Sequence, residues 1–244
     1  MTATMATSAE AKSREDLAAA HRIFALEGLN EGTWTHFSCK LPDQERYLVT
    51  PGNTHFSVIT ASSLLLYGAQ GDFVSGDGLA NHDAVPIHLP IYNTRPDVQC
   101  ILHFHSPYAT ALCTLKNSQL KTKLSQTAAY FHNKVAYLKT YAVPRNNEAE
   151  GRELASALGN KKVLFLKNHG VLIAASSLDD ACVSAYQLER ACQLQVLALS
   201  TGEAMQEMDE EYAQSLSDEP CSGEPGYFHG MKRMLDVVQP EFRL

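Results

Sequence analysis

The sequence lacks the features that mark nucleic-acid-binding, membrane-spanning and secreted proteins. It has no basic run, and its formal net charge at pH 7 is -7, which argues against general affinity for nucleic acid or an anionic membrane. No stretch approaches the roughly 20 apolar residues of a membrane span, and the N-terminal residues lack the apolar centre of a signal peptide. These absences predict a cytoplasmic protein whose substrate is a small molecule.

Cysteine pairs are also missing. Six cysteines are scattered through the 244 residues without a Cys-x-x-Cys motif. Several of them lie in apolar patterns typical of buried strands or helices, so reduced thiols are expected. No internal repeat or interdomain linker divides the chain. We therefore predict a disordered N-terminus at residues 1–12 and one domain at residues 13–244, with a C-terminal tail from about residue 203.

Helical and strand patterns alternate along the chain. A hairpin is predicted from residues 37–41 and 46–50, which flank a turn. The predicted helices include one with Ser13 as its cap, one over residues 148–158 with Asn147 as its cap, and the longest, from Ser177 as its cap to about Ser200. One α/β domain, with helices on the faces of a largely antiparallel sheet, is the simplest architecture.

Three histidines follow buried strands in this pattern. Residues 98–105 form an apolar run that ends in His103 and His105, and alternate side chains of a strand point to the same face. His169 follows a second apolar run, residues 163–166. Three histidines without a nearby cysteine pair suit a borderline cation held with an open coordination position, which favours catalysis. On the residues alone, three satisfied core histidines are the alternative interpretation.

The motifs around these histidines resemble those of the class II aldolase/adducin family, which includes L-fuculose-phosphate aldolase and L-ribulose-phosphate 4-epimerase. The resemblance rests on the order and spacing of residues 29–33, 48–52, 92–97, 103–106 and 167–170. It implies a three-layer α/β/α fold and a homotetramer with active sites between subunits. It also implies one divalent metal ion per subunit, bound by His103, His105 and His169. We expect zinc, with manganese and iron as the alternatives.

One departure from the family pattern concerns the acid/base carboxylate. The family places Glu or Asp at the position that Ala84 occupies here. His82 and Asp83 stand beside it and are candidate catalytic replacements, although solvated loop residues are the ordinary interpretation of both. Tyr130 is a further catalytic candidate, because family members often place residues of that segment in a neighbouring subunit's site. A protonated tyrosine there could return a proton to the product.

A second departure concerns the substrate. Thr33 matches a phosphate-binding position of the sugar-phosphate members, but His36 replaces an Asn, and Asn53 lies in a changed Gly-Asn pair. These three are candidate substrate-binding residues. Because an aspartate such as Asp83 would repel a phosphate dianion, a phosphorylated sugar is disfavoured.

The missing carboxylate guides the predicted reaction. Retro-aldol cleavage needs a base to remove a hydroxyl proton, whereas decarboxylation releases carbon dioxide without one. The sequence therefore predicts a metal-dependent lyase acting on a small keto or hydroxyaryl carboxylic acid, with decarboxylation favoured over aldol cleavage, through a metal-stabilised enolate. Two alternatives remain: a non-heme iron oxygenase on the same scaffold, and a non-catalytic assembly protein like adducin.

Overall fold

A computed structural model of the chain describes residues 8–117, 119–141, 148–220 and 226–244. Its strands, in chain order, are β1 (His36–Lys40), β2 (Arg46–Val49), β3 (Leu65–Gly68), β4 (Phe73–Ser75), β5 (Cys100–Phe104), β6 (Val135–Leu138), β7 (Val163–Leu166) and β8 (Gly170–Ala175). Its helices are α1 (Ser8–Leu26), α2 (Ala84–Thr94), α3 (Pro107–Cys113), α4 (Gln126–Ala129), α5 (Glu148–Leu158), α6 (Leu178–Ser200), α7 (Glu210–Asp218) and α8 (Tyr227–Val238). The predicted α/β class is confirmed.

The strands form one sheet in the order β4-β3-β2-β1-β5-β8-β7-β6. Every described neighbour pair is antiparallel except β6 and β7, which are parallel. Side chains alternate along β5, so Leu102 and Phe104 pack in the core beneath α1, α3 and α6, whereas Ile101 packs beneath α2 and α5. The predicted arrangement of helix layers on both faces of a largely antiparallel sheet is confirmed.

The predicted hairpin corresponds to β1 and β2, and the predicted long helix to α6. The Ser177 side chain accepts a hydrogen bond from the Asp180 backbone N–H, so Ser177 caps α6 as expected. The cysteines at described positions are free thiols, whereas Cys221 and the predicted cap Asn147 lie outside the described residues. No helix in the described ranges has the length and apolar content needed to cross a membrane.

Some element boundaries differ from the predictions. Helix α1 begins at Ser8 rather than Ser13, so the prediction of Ser13 as a cap is wrong: its hydroxyl donates to the Ala9 carbonyl from inside the helix. Residues 8–12, which were expected to belong to a disordered N-terminus, therefore lie in this helix. Residues 1–7 are outside the described residues. Strand β8 was missed, and so was α7, in the segment expected to be a turn-rich tail.

His21 joins α1 to the sheet and should make the fold sensitive to acid. Its Nδ1 donates to the Leu17 carbonyl at 2.6 Å, and its Nε2 lies 2.7 Å from Thr50 Oγ1. Burial lowers the pKa of His21 to about 3. The unfolded chain therefore binds the extra proton first, and the stability that neutral His21 provides is lost as the pH falls below about 6.5.

We expect His21 to contribute about 2 kcal/mol less to the free energy of unfolding at pH 5 than at pH 7. Urea unfolding of the parent and of His21→Gln at both pH values measures this difference. The cost of the substitution should shrink by that amount at pH 5. An equal cost at both values would show that His21 binds a proton as readily in the folded protein as in the unfolded chain.

Candidate metal centre

Strand β5 and the β7–β8 turn bring His103, His105 and His169 together. Their ring centroids lie 4.8 to 4.9 Å apart, and one nitrogen from each ring lies within 4.8 Å of the other two. His103 is buried, and the other two are half-buried, so the cluster is open on one side. The predicted convergence of these three side chains is present, and the triad could hold one cation.

A tight turn places His169 in this cluster. The turn uses a left-handed residue, Asn168, with φ of 56°, and the Asn168 N–H donates to the Cys113 carbonyl of α3. Gly170 follows, and a Cβ there would lie 2.5 Å from Cδ2 of His105 and 2.7 Å from the Phe104 carbonyl oxygen. Only glycine therefore allows β8 to approach the end of β5 this closely.

The hydrogen bonds of His103 and His105 fix which nitrogen faces the centre. Nδ1 of His103 donates to the Val171 carbonyl at 3.0 Å, and Nδ1 of His105 donates to Glu31 Oε2 at 2.7 Å. When both rings are neutral, each therefore presents the lone pair of Nε2 to the other, at 3.1 Å. A tetrahedral zinc site with ordinary Zn–N bonds separates its nitrogens by about 3.3 Å, so the described donor set fits a divalent cation.

The environment of His103 favours its neutral form. Burial, and then the charges of His36, His105 and His169, hold the pKa of His103 well below its ordinary value. A neutral imidazole is the form that binds a metal.

Glu31 orients His105 from outside the triad. It lies in the 29–33 motif, and no role was predicted for it. We expect Glu31→Ala to weaken zinc binding about 10- to 100-fold, because such orienting carboxylates fix the tautomer and raise the basicity of the ligand. Zinc titration against a competing chelator measures the affinity. Glu31→Gln, which keeps an acceptor oxygen, should lose less zinc affinity, and Glu45→Ala, at an exposed position, should lose none. Equal zinc affinity in Glu31→Ala and the parent would contradict the orienting role of Glu31.

A buried chain of hydrogen bonds starts beside the triad. The ring of His36 lies 4.9 Å from that of His103, its neighbour across the β1–β5 pair. His36 Nδ1 lies 3.1 Å from His88 Nε2, and His88 Nδ1 lies 2.7 Å from Ser38 Oγ. Ser38 Oγ in turn lies 2.8 Å from the Tyr92 hydroxyl. We call His36, His88, Ser38 and Tyr92 the buried relay.

The spacing of the four relay residues in the sequence is consistent with the relay, although no relay was predicted from it. His36 and Ser38 are two residues apart on a strand, and His88 and Tyr92 are four apart on a helix, so each pair shares a face. Burial lowers the pKa of His88 to about 3, and burial with the surrounding histidines holds that of His36 well below its ordinary value. Both rings are therefore neutral.

The acid/base candidates lie outside the triad. His82 and Asp83 are exposed at the start of α2, and the Asp83 backbone N–H donates to Asn81 Oδ1. The group of ligand atoms found among the described residues contains neither of them. Ala84 is fully buried beneath the sheet. The described subunit therefore presents no carboxylate at the position that the family uses.

The remaining candidates differ in their exposure and surroundings. Thr33 is half-buried and follows Gly32, whereas Asn53 is exposed and left-handed, with φ of 53°. Tyr130 is half-buried and lines a cavity of about 420 Å³ with Lys134, Lys162 and other residues. Of the three substrate-binding candidates, the structure shows His36 in ring contact with a triad histidine.

Comparisons with known proteins agree with this fold. The family model of the Class II Aldolase and Adducin N-terminal domain matches residues 15–196. A Pseudomonas aeruginosa protein whose name places it with the class 2 aldolases is 35% identical over 197 residues, covering 80% of this chain and 75% of that protein. Rat (Rattus norvegicus) alpha-adducin is 32% identical over 190 residues, covering 76% of this chain but only 25% of adducin.

A solved structure extends the similarity to almost the whole chain. L-fuculose 1-phosphate aldolase from Glaciozyma antarctica superposes with a TM-score of 0.85 at 29% identity. The match covers 100% of this chain and 97% of that one. The similarity therefore includes the C-terminal helices that lie beyond the family model.

Proposed function

Because the chain belongs to the class II aldolase and adducin family, we propose that it is a divalent-metal-dependent carbon–carbon lyase. Its proposed substrate is a small keto or hydroxyaryl carboxylic acid, and decarboxylation is favoured over aldol cleavage. The observation that carries this proposal is a three-histidine cluster in a chain that has a buried alanine, Ala84, at the position of the family's carboxylate.

His103, His105 and His169 are the proposed metal ligands, with zinc expected. The cation would supply positive charge that stabilises the electron pair left on carbon when a carboxylate departs as carbon dioxide. Two neighbouring residues orient the ligands. Val171 and Glu31 accept hydrogen bonds from Nδ1 of His103 and of His105, so the lone pairs of the two rings converge. Neutral imidazoles leave the charge of the cation available to the substrate.

The choice between reactions rests on the absence, among the described residues, of a carboxylate placed as a base beside the triad. His36 lies beside the triad, but burial and the surrounding histidines hold its pKa well below its ordinary value, so it is a weak base. Glu31 is hydrogen-bonded to the outer nitrogen of His105, so it supports a ligand and does not face the substrate side of the triad. Aldol cleavage requires removal of a hydroxyl proton, and decarboxylation does not. The described subunit therefore supports decarboxylation better.

Roles for several further residues are also proposed within this function. Thr33, His36 and Asn53 are proposed to contact substrate. Asp83, His82 or Tyr130 is proposed to return a proton to carbon, in a homotetramer whose subunits share active sites. A cytoplasmic location is proposed with them.

The test is an activity panel with protein loaded separately with zinc, manganese or iron. Small 3-keto acids, 4-hydroxy-2-keto acids and hydroxybenzoic acids are supplied, and carbon dioxide, aldehyde products and oxygen uptake are measured. We expect carbon dioxide release from the parent and none from His105→Ala. Aldehyde without carbon dioxide would favour aldol cleavage, and oxygen consumption would favour the iron oxygenase.

The similarity to alpha-adducin keeps a non-catalytic role as the second candidate. The presence of all three histidines argues against it, because a scaffold with no metal to bind has no need for three converging imidazoles. A chain that neither binds metal nor turns over any acid in the panel would favour this second role.

A further inference from the structure

The direction of the hydrogen bonds in the buried relay determines whether Nε2 of His36 is a hydrogen-bond donor or an acceptor for a substrate. Beyond Ser38, the Tyr92 hydroxyl lies 3.4 Å from the Gln99 carbonyl oxygen, which can only accept. That carbonyl also accepts from the Lys40 N–H at 2.8 Å, and its second lone pair can accept from Tyr92. Because each neutral member of the relay has one proton to donate along it, all its hydrogen bonds must point the same way.

Only one direction uses every contact. If Tyr92 donates to Gln99, then Ser38 donates to Tyr92, His88 Nδ1 donates to Ser38, and His36 Nδ1 donates to His88 Nε2; all four contacts are then hydrogen bonds. In the reverse direction Tyr92 donates to Ser38, and its oxygen faces the Gln99 oxygen with no proton between them. The first direction therefore makes one more hydrogen bond in a buried setting.

This direction leaves Nε2 of His36 without a proton. The two ring nitrogens lie on opposite sides of an imidazole, so Nε2 points away from His88. The ring lies beside His103, yet His36 is not part of the described group of converging ligand atoms. His36 is only 3% exposed, and the side-chain hydrogen bond found for it among the described residues uses Nδ1. The Nε2 lone pair is therefore left for a substrate group that reaches the triad.

We propose that His36 is a specificity residue whose Nε2 accepts a hydrogen bond from a hydroxyl group of the substrate, and that Ser38, His88 and Tyr92 are positioning residues that hold it in this tautomer. The site therefore selects a hydroxyl group at this position over a phosphate group. The dianion of a phosphate monoester carries only acceptor oxygens, which an unprotonated nitrogen repels. The inference deepens the proposed function, because it specifies a hydroxyl-bearing acid as its substrate class.

The tautomers can be read directly by nitrogen-15 NMR of histidine-labelled, zinc-loaded protein. We expect His36 and His88 both to carry their protons on Nδ1. Tyr92→Phe removes the partner that accepts from Ser38, so Ser38 should donate to His88 and both rings should move their protons to Nε2. Tyr47→Phe is the matched control: its buried hydroxyl has no hydrogen-bond partner among the described residues, and both tautomers should stay unchanged.

Small anions then test the consequence for binding. In Tyr92→Phe the preference for glycolate over methoxyacetate, whose ether oxygen can only accept, should fall about fivefold, since one net hydrogen bond is worth about 1 kcal/mol. The dissociation constant of acetate, which has no hydroxyl, should stay the same, and the dianion of methyl phosphate should bind more tightly. Protons on Nε2 of both rings in the parent, or an unchanged preference for glycolate over methoxyacetate, would overturn the proposal.

These results separate the inference from the proposed function. If the tautomers and glycolate binding follow the expectation while no acid in the activity panel reacts, the role of the relay stands and the lyase proposal fails. If carbon dioxide is released but the tautomers are reversed, the lyase proposal stands and the relay inference fails.

Discussion

Glu189→Ala is expected to lower the free energy of unfolding by about 3 kcal/mol, because its carboxylate satisfies three donors in a buried setting. It lies in α6 and accepts from Ser106 Oγ at 2.6 Å and from the backbone N–H groups of Tyr108 and Ala109 at 2.8 and 2.9 Å. Those two N–H groups belong to the first turn of α3, where a helix dipole favours negative charge. Removal leaves all three donors buried without this partner.

Urea unfolding measures the loss. Glu189→Gln keeps one acceptor oxygen and should lose about half as much, whereas the exposed Glu203→Gln should be neutral. Because Ser106 directly follows His105, Glu189→Ala should also weaken zinc binding. A loss below about 1 kcal/mol in Glu189→Ala would mean that water replaces the carboxylate at this helix end.

Zinc is expected to stabilise the parent by about 2.7 kcal/mol when free zinc is 100 times its dissociation constant, because the folded triad binds the cation and the unfolded chain does not. For a domain of this size the gain corresponds to about 5 to 10 °C in Tm. The triad ligand variant His169→Ala should gain far less. Thermal unfolding with and without zinc measures both.

The matched control is His229→Ala, which removes an exposed histidine 3.8 Å from Asp179. It should gain as much from zinc as the parent does. If His169→Ala were stabilised as much as the parent, zinc would be binding elsewhere on the folded protein.

The triad could be predicted from the sequence because its signals are local. His103 and His105 follow from the two-residue period of a strand, and His169 from a turn after an apolar run. Their convergence needed β5, β8 and β7 to be neighbours, which the residues alone did not show. The family resemblance supplied that step.

Contacts between residues far apart in the chain could not be predicted from the sequence. The relay joins β1 to α2 across about 50 residues of chain, and Glu189 caps a helix that starts 82 residues earlier (189 − 107). Each depends on strand register and helix packing, and local patterns encode neither. No local pattern therefore predicted that His36 and His88 take part in a directed chain of hydrogen bonds.

The missed elements have separate physical causes. Strand β8 was missed because it begins directly after the tight turn that holds His169. The left-handed residue of that turn is Asn168, and the glycine that usually signals such a turn is not at this position. Helix α7 has little apolar surface, and its buried residues are Ala213 and Ser217, so no hydrophobic stripe marked it. Helix α1 starts early because Glu10 is buried and pairs with Arg14 and Arg46, which holds its first turn against the sheet.

The most direct test of a metal-dependent lyase is elemental analysis of protein purified without chelators, with His103→Ala and His169→Ala alongside. The account predicts one equivalent of zinc, or of manganese or iron, per chain in the parent and a loss of that metal in both variants. A parent that contains no metal and takes up none from added zinc, manganese or iron would contradict it.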